Sequence, residues 1–283
     1  MIRHLLKLTW KRKARNLMLT LEIMLAFVLV FGIAAFAMRN YQLYDLPTGF
    51  RPANVWAVDI EAREASNVEF AAATYDKFKR GLEALPEVEQ VAFTSFAPYS
   101  TSSMRITVMV PGGGPGSEIH LLEASDDFGA VAGVRLEEGG WFGPADDGAS
   151  ATPVVISRRL AREMFGSQPA LGKELDVSQP PDSKSPRQVL KVVGITGEYR
   201  NGGELMSPQP VAIMRFIPGT TLTGARTIIL KVAPGTTRGF EATLNKQLKL
   251  IRNDWAYTAA PLSAMRGSAL KSQLAPLIVL SVI

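Results

Sequence analysis

The chain has 283 residues, 47% of them hydrophobic, a formal net charge of +5 and no cysteine. Six basic side chains, Arg3, Lys7, Lys11, Arg12, Lys13 and Arg15, precede the first acid, so residues 17–283 hold 25 basic and 26 acidic groups. A nearly neutral body lacks the clustered cations that phosphate backbones require, which excludes nucleic acid as a partner, and the lack of cysteine excludes disulfides and thiolate metal sites.

Residues 1–16 read as a cytoplasmic basic segment. Ile2, Leu5, Leu6 and Trp10 can share one helical face. The segment is then either an amphipathic helix lying on the inner membrane surface or a plain basic tail that sets topology.

The stretch 17–38, LMLTLEIMLAFVLVFGIAAFAM, holds one ionisable group in 22 residues. At about 1.5 Å per residue it reaches roughly 33 Å, enough to cross a hydrocarbon core of about 30 Å. Leu17, Phe27, Phe31 and Phe36 are its anchor candidates. The insertion gain of its Leu, Ile, Val and Phe side chains outweighs the cost of Glu22, which lies near the cytoplasmic end. There Glu22 either snorkels or stays protonated, or else it faces partner helices or takes part in a proton path. The competing reading is a cleaved signal peptide, with Ala35–Ala37 as an A-x-A site. The apolar run exceeds the roughly 7–15 residues of a signal core, which favours a retained anchor with an inner-face N-terminus and the body beyond the membrane.

Residues 39–260 read as an extracytoplasmic core domain of α+β class. Val55–Ile60 forms a strand, Ser66 and Glu69 a capping box, and Ala71, Tyr75, Phe78, Leu82 and Leu85 an apolar helical stripe that Pro86 ends. The strand VEQVAF follows, giving a β-α-β unit whose two strands can lie side by side. TIILKVA from Thr227, a helix with Phe240, Leu244, Leu248 and Ile251, and a strand near Trp255 to Thr258 form a similar set. Residues 50–96 and 223–260 then build one porter-like part beside the membrane, with residues 97–222 inserted as a mostly β subdomain holding one helix. Within the insertion, Asp176–Arg187 has the composition of a long exposed connection. Residues 261–283 form an amphipathic approach, with Leu262, Met265, Ala269 and Leu270 at helical spacing, and then the start of a second apolar helix. A C-terminal amphipathic helix packed on the domain is the alternative.

Catalytic patterns fare poorly. His4 and His120 are the only histidines, and the topology puts them on opposite sides of the membrane, so neither a His-based zinc site nor a triad is expected. The turn Gly112–Gly116 lacks the Lys-Ser/Thr ending of a P-loop. Ser268–Lys271 matches S-x-x-K without the companion motifs of penicillin-binding enzymes. Asp126 with Asp127, and Asp146 with Asp147, read as solvated loop pairs. In PVVISRRLAREMFG, Pro153–Gly166, Ser157 has no accompanying base and stands before an apolar face of Leu160, Ala161, Met164 and Phe165, so it reads as a helix N-cap. No catalytic, cofactor-binding or metal residue is expected.

Four stretches, Leu122–Asp147, Pro153–Gly166, Leu171–Leu175 and Val189–Gly202, in this order between a basic-led span and a second apolar helix, resemble the periplasmic core domain of MacB-like and FtsX-like ABC transporter permeases. The resemblance implies a four-span inner-membrane subunit working as a homo- or heterodimer, whose domain moves when an ATPase cycles in the cytoplasm, for export or other periplasmic work. It implies a separate ATPase subunit, since this chain carries no ATPase motif, contact with membrane lipids, and a periplasmic adaptor protein as a further partner. The four-span pattern would place the rest of span two and spans three and four beyond residue 283. A single-anchored extracytoplasmic binding or scaffold module is the alternative.

Overall fold

The computed structural model describes residues 13–61, 72–100, 102–112, 116–177, 188–218 and 224–280. Arg3, His4, Lys7, Lys11, Arg12, the Ser66–Glu69 capping box, Ala71 and most of the 176–187 connection lie outside the described residues. Two compact units divide the chain: residues 1–46 with 272–283, and residues 47–271.

In the first unit, helix α1 (Lys13–Tyr44) runs for 32 residues and contains a candidate span, Arg15–Tyr44, of mean hydropathy 2.5. It continues beyond Met38 because neither proline nor glycine interrupts MRNYQLY. Within the apolar run, the Thr20 hydroxyl donates to the Asn16 carbonyl at 2.9 Å, so this polar group needs no outside partner.

The second unit opens with a four-stranded antiparallel sheet. Its strands are β1 (Val55–Glu61), β2 (Val88–Thr94), β10 (Thr227–Val232) and β11 (Ala256–Pro261), in the order β11-β1-β10-β2. The expected side-by-side pairing of β1 and β2 is therefore corrected: β10 lies between them, with Ala57 opposite Ile229 on one edge and Ala92 opposite Ile229 on the other. Helix α2 (Ala72–Glu83) buries Tyr75, Phe78 and Leu82, and α5 (Phe240–Ile251) buries Phe240, Leu244 and Leu248. Both stripes join Trp56, Val58, Val91, Phe93, Ile228 and Leu230 in one core. The alternate residues Val55, Ala57, Ala92 and Ile229 face a second core, as the two-residue period of a strand requires.

Between β2 and β10 lie β3 (Met104–Met109), β4 (Ser117–Ala124), β5 (Leu136–Gly139), β6 (Thr152–Ser157), β7 (Glu174–Val177), β8 (Val189–Thr196) and β9 (Val211–Arg215). Six of them close on themselves: β4 pairs with β3, β3 with β7, β7 with β8, β8 with β6, β6 with β9, and β9 with β4. The ring is filled by alternate side chains such as Val108, Ile119, Leu121, Val154, Ile156, Leu175, Leu190, Val192, Ala212 and Met214, so it is a packed core and not a pore. Strand β5 pairs with the second half of β8. One residue pair, Thr94–Ala124, joins the ring to the four-stranded sheet.

The inserted region holds more than the single helix expected there. Helix α4 (Arg158–Phe165) is joined by the five-residue α3 (Phe128–Ala132) and a 3-10 turn, Pro144–Asp146. Helix α3 has fewer than two turns, too short for a periodic stripe to show in the sequence. Helix α6 (Leu262–Leu280) starts in the second unit, where Leu262 is fully buried and Met265 and Ala269 pack on the second core, and it contains Pro276.

Candidate functional site

Of the sequence-derived candidates, Leu17, Glu22, Phe27, Phe31 and Phe36 all lie on α1 and are exposed, with the Phe27 and Phe31 rings 6.2 Å apart on one side. Arg15 is also exposed, and Lys13 is the first residue of the same helix. Ser157 is fully buried and caps α4, accepting from the Leu160 amide at 3.3 Å. Its oxygen also accepts from the Val211 amide of β9 at 3.1 Å, so one hydroxyl starts a helix and ties it to the ring.

Asp126, Asp127 and Asp147 are part-exposed, as expected of loop residues, and each has a basic partner. Asp126 and Asp147 are held by Arg215, whose Nε and Nη2 donate to the two Asp126 oxygens at 2.7 and 2.8 Å and whose Nη1 donates to Asp147 at 2.7 Å. Asp127 pairs with Lys79 of α2, and an Asp146 oxygen accepts from the Gly143 amide at 2.9 Å. The hydrogen bonds that Arg215 donates to Asp126, and then to Asp147, raise the pKa of its guanidinium above its ordinary value despite burial. Isolated in sequence, these acids look like loop residues. Their partners come from 89, 68 and 48 positions away.

The loop 198–206, EYRNGGELM, makes several long-range hydrogen bonds. Arg200 is fully buried on carbonyl oxygens. Its Nε donates to Pro47 at 3.0 Å, and its Nη1 to Glu204 at 2.7 Å and Met206 at 3.1 Å. The Arg200 amide donates to the Thr48 carbonyl at 2.8 Å. Burial pulls the Arg200 pKa below its ordinary value, and the nearby Glu204 and Glu198 oppose this. At its other end the loop presents Glu204, whose Oε1 accepts from Arg266 Nε of α6 at 2.6 Å and from the Tyr99 hydroxyl at 3.2 Å. That hydroxyl is held protonated well above its ordinary pKa, first by burial and then by the Glu204 charge.

Two glycines permit these approaches. A Cβ on Gly49, where φ is +87°, would stand 2.0 Å from the Glu198 carbonyl oxygen, and one on Gly203, φ +91°, would stand 2.7 Å from the Tyr99 ring. Phe50 then packs on Tyr99 and Tyr199 with centroids 5.2 and 5.7 Å away. One loop thus grips the segment 47–50, which follows α1 in the chain, and the first turns of α6. The joint is charged and hydrogen-bonded, and the Arg200 bonds within it are directed to backbone. Sequence reading missed Arg200, Glu204 and Arg266. The adjacent Gly202–Gly203 in a strand-to-loop transition was the available signal of a close backbone approach.

A family model described as the MacB-like periplasmic core domain matches residues 17–245. The periplasmic region of MacB from Actinobacillus actinomycetemcomitans superposes with a TM-score of 0.55 at 13% identity, covering 80% of this chain and 97% of that one. The extracellular domain of the noncanonic ABC-type transporter YknZ from Gram-positive bacteria gives a TM-score of 0.50 at 15% identity, covering 73% and 100%. At these identities the likeness is one of fold. No curated protein matches the chain at a significant level.

Proposed function

The chain belongs to the family of MacB-like periplasmic core domains, and from that premise we propose that it is the N-terminal part of an ABC transporter permease that carries ATPase-driven motion outward for export or other periplasmic work. A domain of this family is not itself a catalyst. In the proposed arrangement α1 and the end of α6 are inner-membrane spans, the basic N-terminus is cytoplasmic, and a separate ABC ATPase subunit supplies hydrolysis to a homo- or heterodimer of permeases. A periplasmic adaptor is a further partner. Residues 1–16, 39–260 and 261–283 then serve as inner-face segment, moving domain and second connection.

The observation that supports this reading is the double grip of loop 198–206 on residues 47–50 and on Arg266. A displacement entering along either connection meets the same rigid joint, as force transmission requires. Membrane co-purification of the full-length permease with its ATPase tests the assembly, and the absence of association would leave the single-anchored module instead. Orientation is tested separately. Because the chain has no cysteine, Leu250→Cys on the exposed face of α5 should react with an impermeant thiol reagent once the outer layer alone is permeabilised. Labelling only after the inner membrane is broken would reverse the topology. For the coupling itself, Arg266→Gln in the complete transporter should leave the ATPase bound while reducing the substrate-stimulated part of its turnover.

A further inference from the structure

Within the second unit, and independent of the transport reading, a cavity of about 330 Å³ opens between the start of β1, the turn after β10 and the first turn of α6. Small-molecule sites run from roughly 300 to 1,000 Å³, so there is room for a compact ligand. Its apolar wall is made by Val55, Trp56 and Val232, all buried. Its polar lining is Asn54, Thr236, Arg238 and Ser263, and no carboxylate is among the lining residues. Thr236 already spends its hydroxyl proton on the Ala233 carbonyl at 2.7 Å. The side chains of Asn54, Arg238 and Ser263 have no hydrogen-bond or ion-pair partner among the described residues. Three unspent donors, one of them a cation, thus come together in one cavity from three segments far apart in the chain.

We infer that this cavity is a binding site for a small organic phosphate, with the phosphoryl oxygens accepting from Arg238, Asn54 and Ser263 and the organic part against Val55, Trp56 and Val232. A tetrahedral phosphoryl group offers oxygens in several directions, which suits donors that arrive from three segments. The guanidinium fork of Arg238 matches two of those oxygens at once. Because no carboxylate lines the wall, the Arg238 charge is left for the ligand, and the same charge turns cations away.

Phenyl phosphate and phenol are suitable probes, because they differ by the phosphoryl group alone. In isothermal titration calorimetry of the full chain in an uncharged detergent, phenyl phosphate should bind saturably and phenol at least about ten-fold more weakly, the difference that charge-assisted bonds make. Arg238→Gln should cost about ten-fold in phenyl phosphate affinity, and Ser263→Ala and Asn54→Gly about three-fold each. All three side chains are exposed, and glycine accepts the φ of +57° at residue 54, so the melting temperatures of the variants should match wild type. Arg105→Gln, at an exposed position of the ring, should bind phenyl phosphate as wild type does. Glycerophosphoglycerol, the headgroup of an anionic lipid freed of its chains, separates a membrane source from a soluble one: whichever of it and phenyl phosphate binds more tightly names the source. The inference is overturned if neither phosphate binds saturably, if phenol binds as tightly as phenyl phosphate, if Arg238→Gln binds as wild type does, or if Arg105→Gln loses as much as Arg238→Gln.

Discussion

Arg215 and Arg200 are both buried, yet each is kept charged by different means. Arg215 ends a strand of the ring and spends its donors on two carboxylates, one of which, Asp147, is itself 70% exposed. Arg200 lies in the gripping loop and spends at least three of its bonds on backbone carbonyls. The carboxylate-paired site raises its arginine's pKa and the carbonyl-paired site lowers it. Carboxylates that reach water can relax when their partner leaves, whereas carbonyls fixed in a loop cannot. A region built on carbonyls is therefore the more brittle of the two.

The largest break in this comparison comes from Arg200→Leu. It strands the Pro47, Glu204 and Met206 carbonyls around an apolar side chain and should cost about 4 kcal/mol, a drop in Tm of roughly 10 °C by calorimetry. Next, Arg215→Met leaves Asp126 half-buried and unpaired, and about 2 kcal/mol should be lost, read as a lower urea midpoint at constant slope. Equal losses for the two would erase the distinction drawn above. Lys79→Ala removes only a half-exposed ion pair with Asp127 and should cost about 0.5 kcal/mol in the same titration.

His120 sharpens the comparison further, because it meets burial by giving up its charge. Its folded pKa lies below the ordinary 6.5, through burial first and the Arg105 charge second, with Gln209 and Glu118 opposing. Above about pH 6.5 both states are neutral there and the group contributes nothing. As the pH falls below that value, the unfolded chain takes up the proton first, so stability is lost on acidification. His120→Gln should flatten this part of the profile between about pH 7 and pH 5, measured as the difference from wild type. An unchanged difference curve would mean that His120 is protonated equally in both states.

What the sequence disclosed, and what it withheld, follows from the range of the interactions. The stripe Tyr75–Phe78–Leu82 and the cap at Ser157 depend on neighbours within four residues, and the local pattern revealed both. The family resemblance likewise rested on ordered local stretches. The place of β10 between β1 and β2 depends on strands far apart in the chain, and the β-α-β pattern alone pointed to the wrong neighbour. Closure of the ring by β4 and β9 carries no local mark at all. Arg200 and Glu204 stood in plain view inside EYRNGGELM, but a lone arginine in a glycine-rich turn reads as exposed until Pro47, Thr48 and Arg266 are brought to it. The same distance concealed the partners of Asp126 and Asp127.

The interleaved strand order also bears on biosynthesis. As the chain leaves the ribosome, β1 and β2 emerge early but lack their main partner until β10 follows, more than a hundred residues later. All six ring strands lie between them and can pair completely in the interval. The ring can therefore mature first, while two bare strands wait and invite chaperones or proteases. Nascent chains arrested far enough beyond Arg215 for β9 to clear the ribosome, with β10 still inside it, should accordingly yield a protease-resistant core that begins near Met104, with residues 55–94 digested.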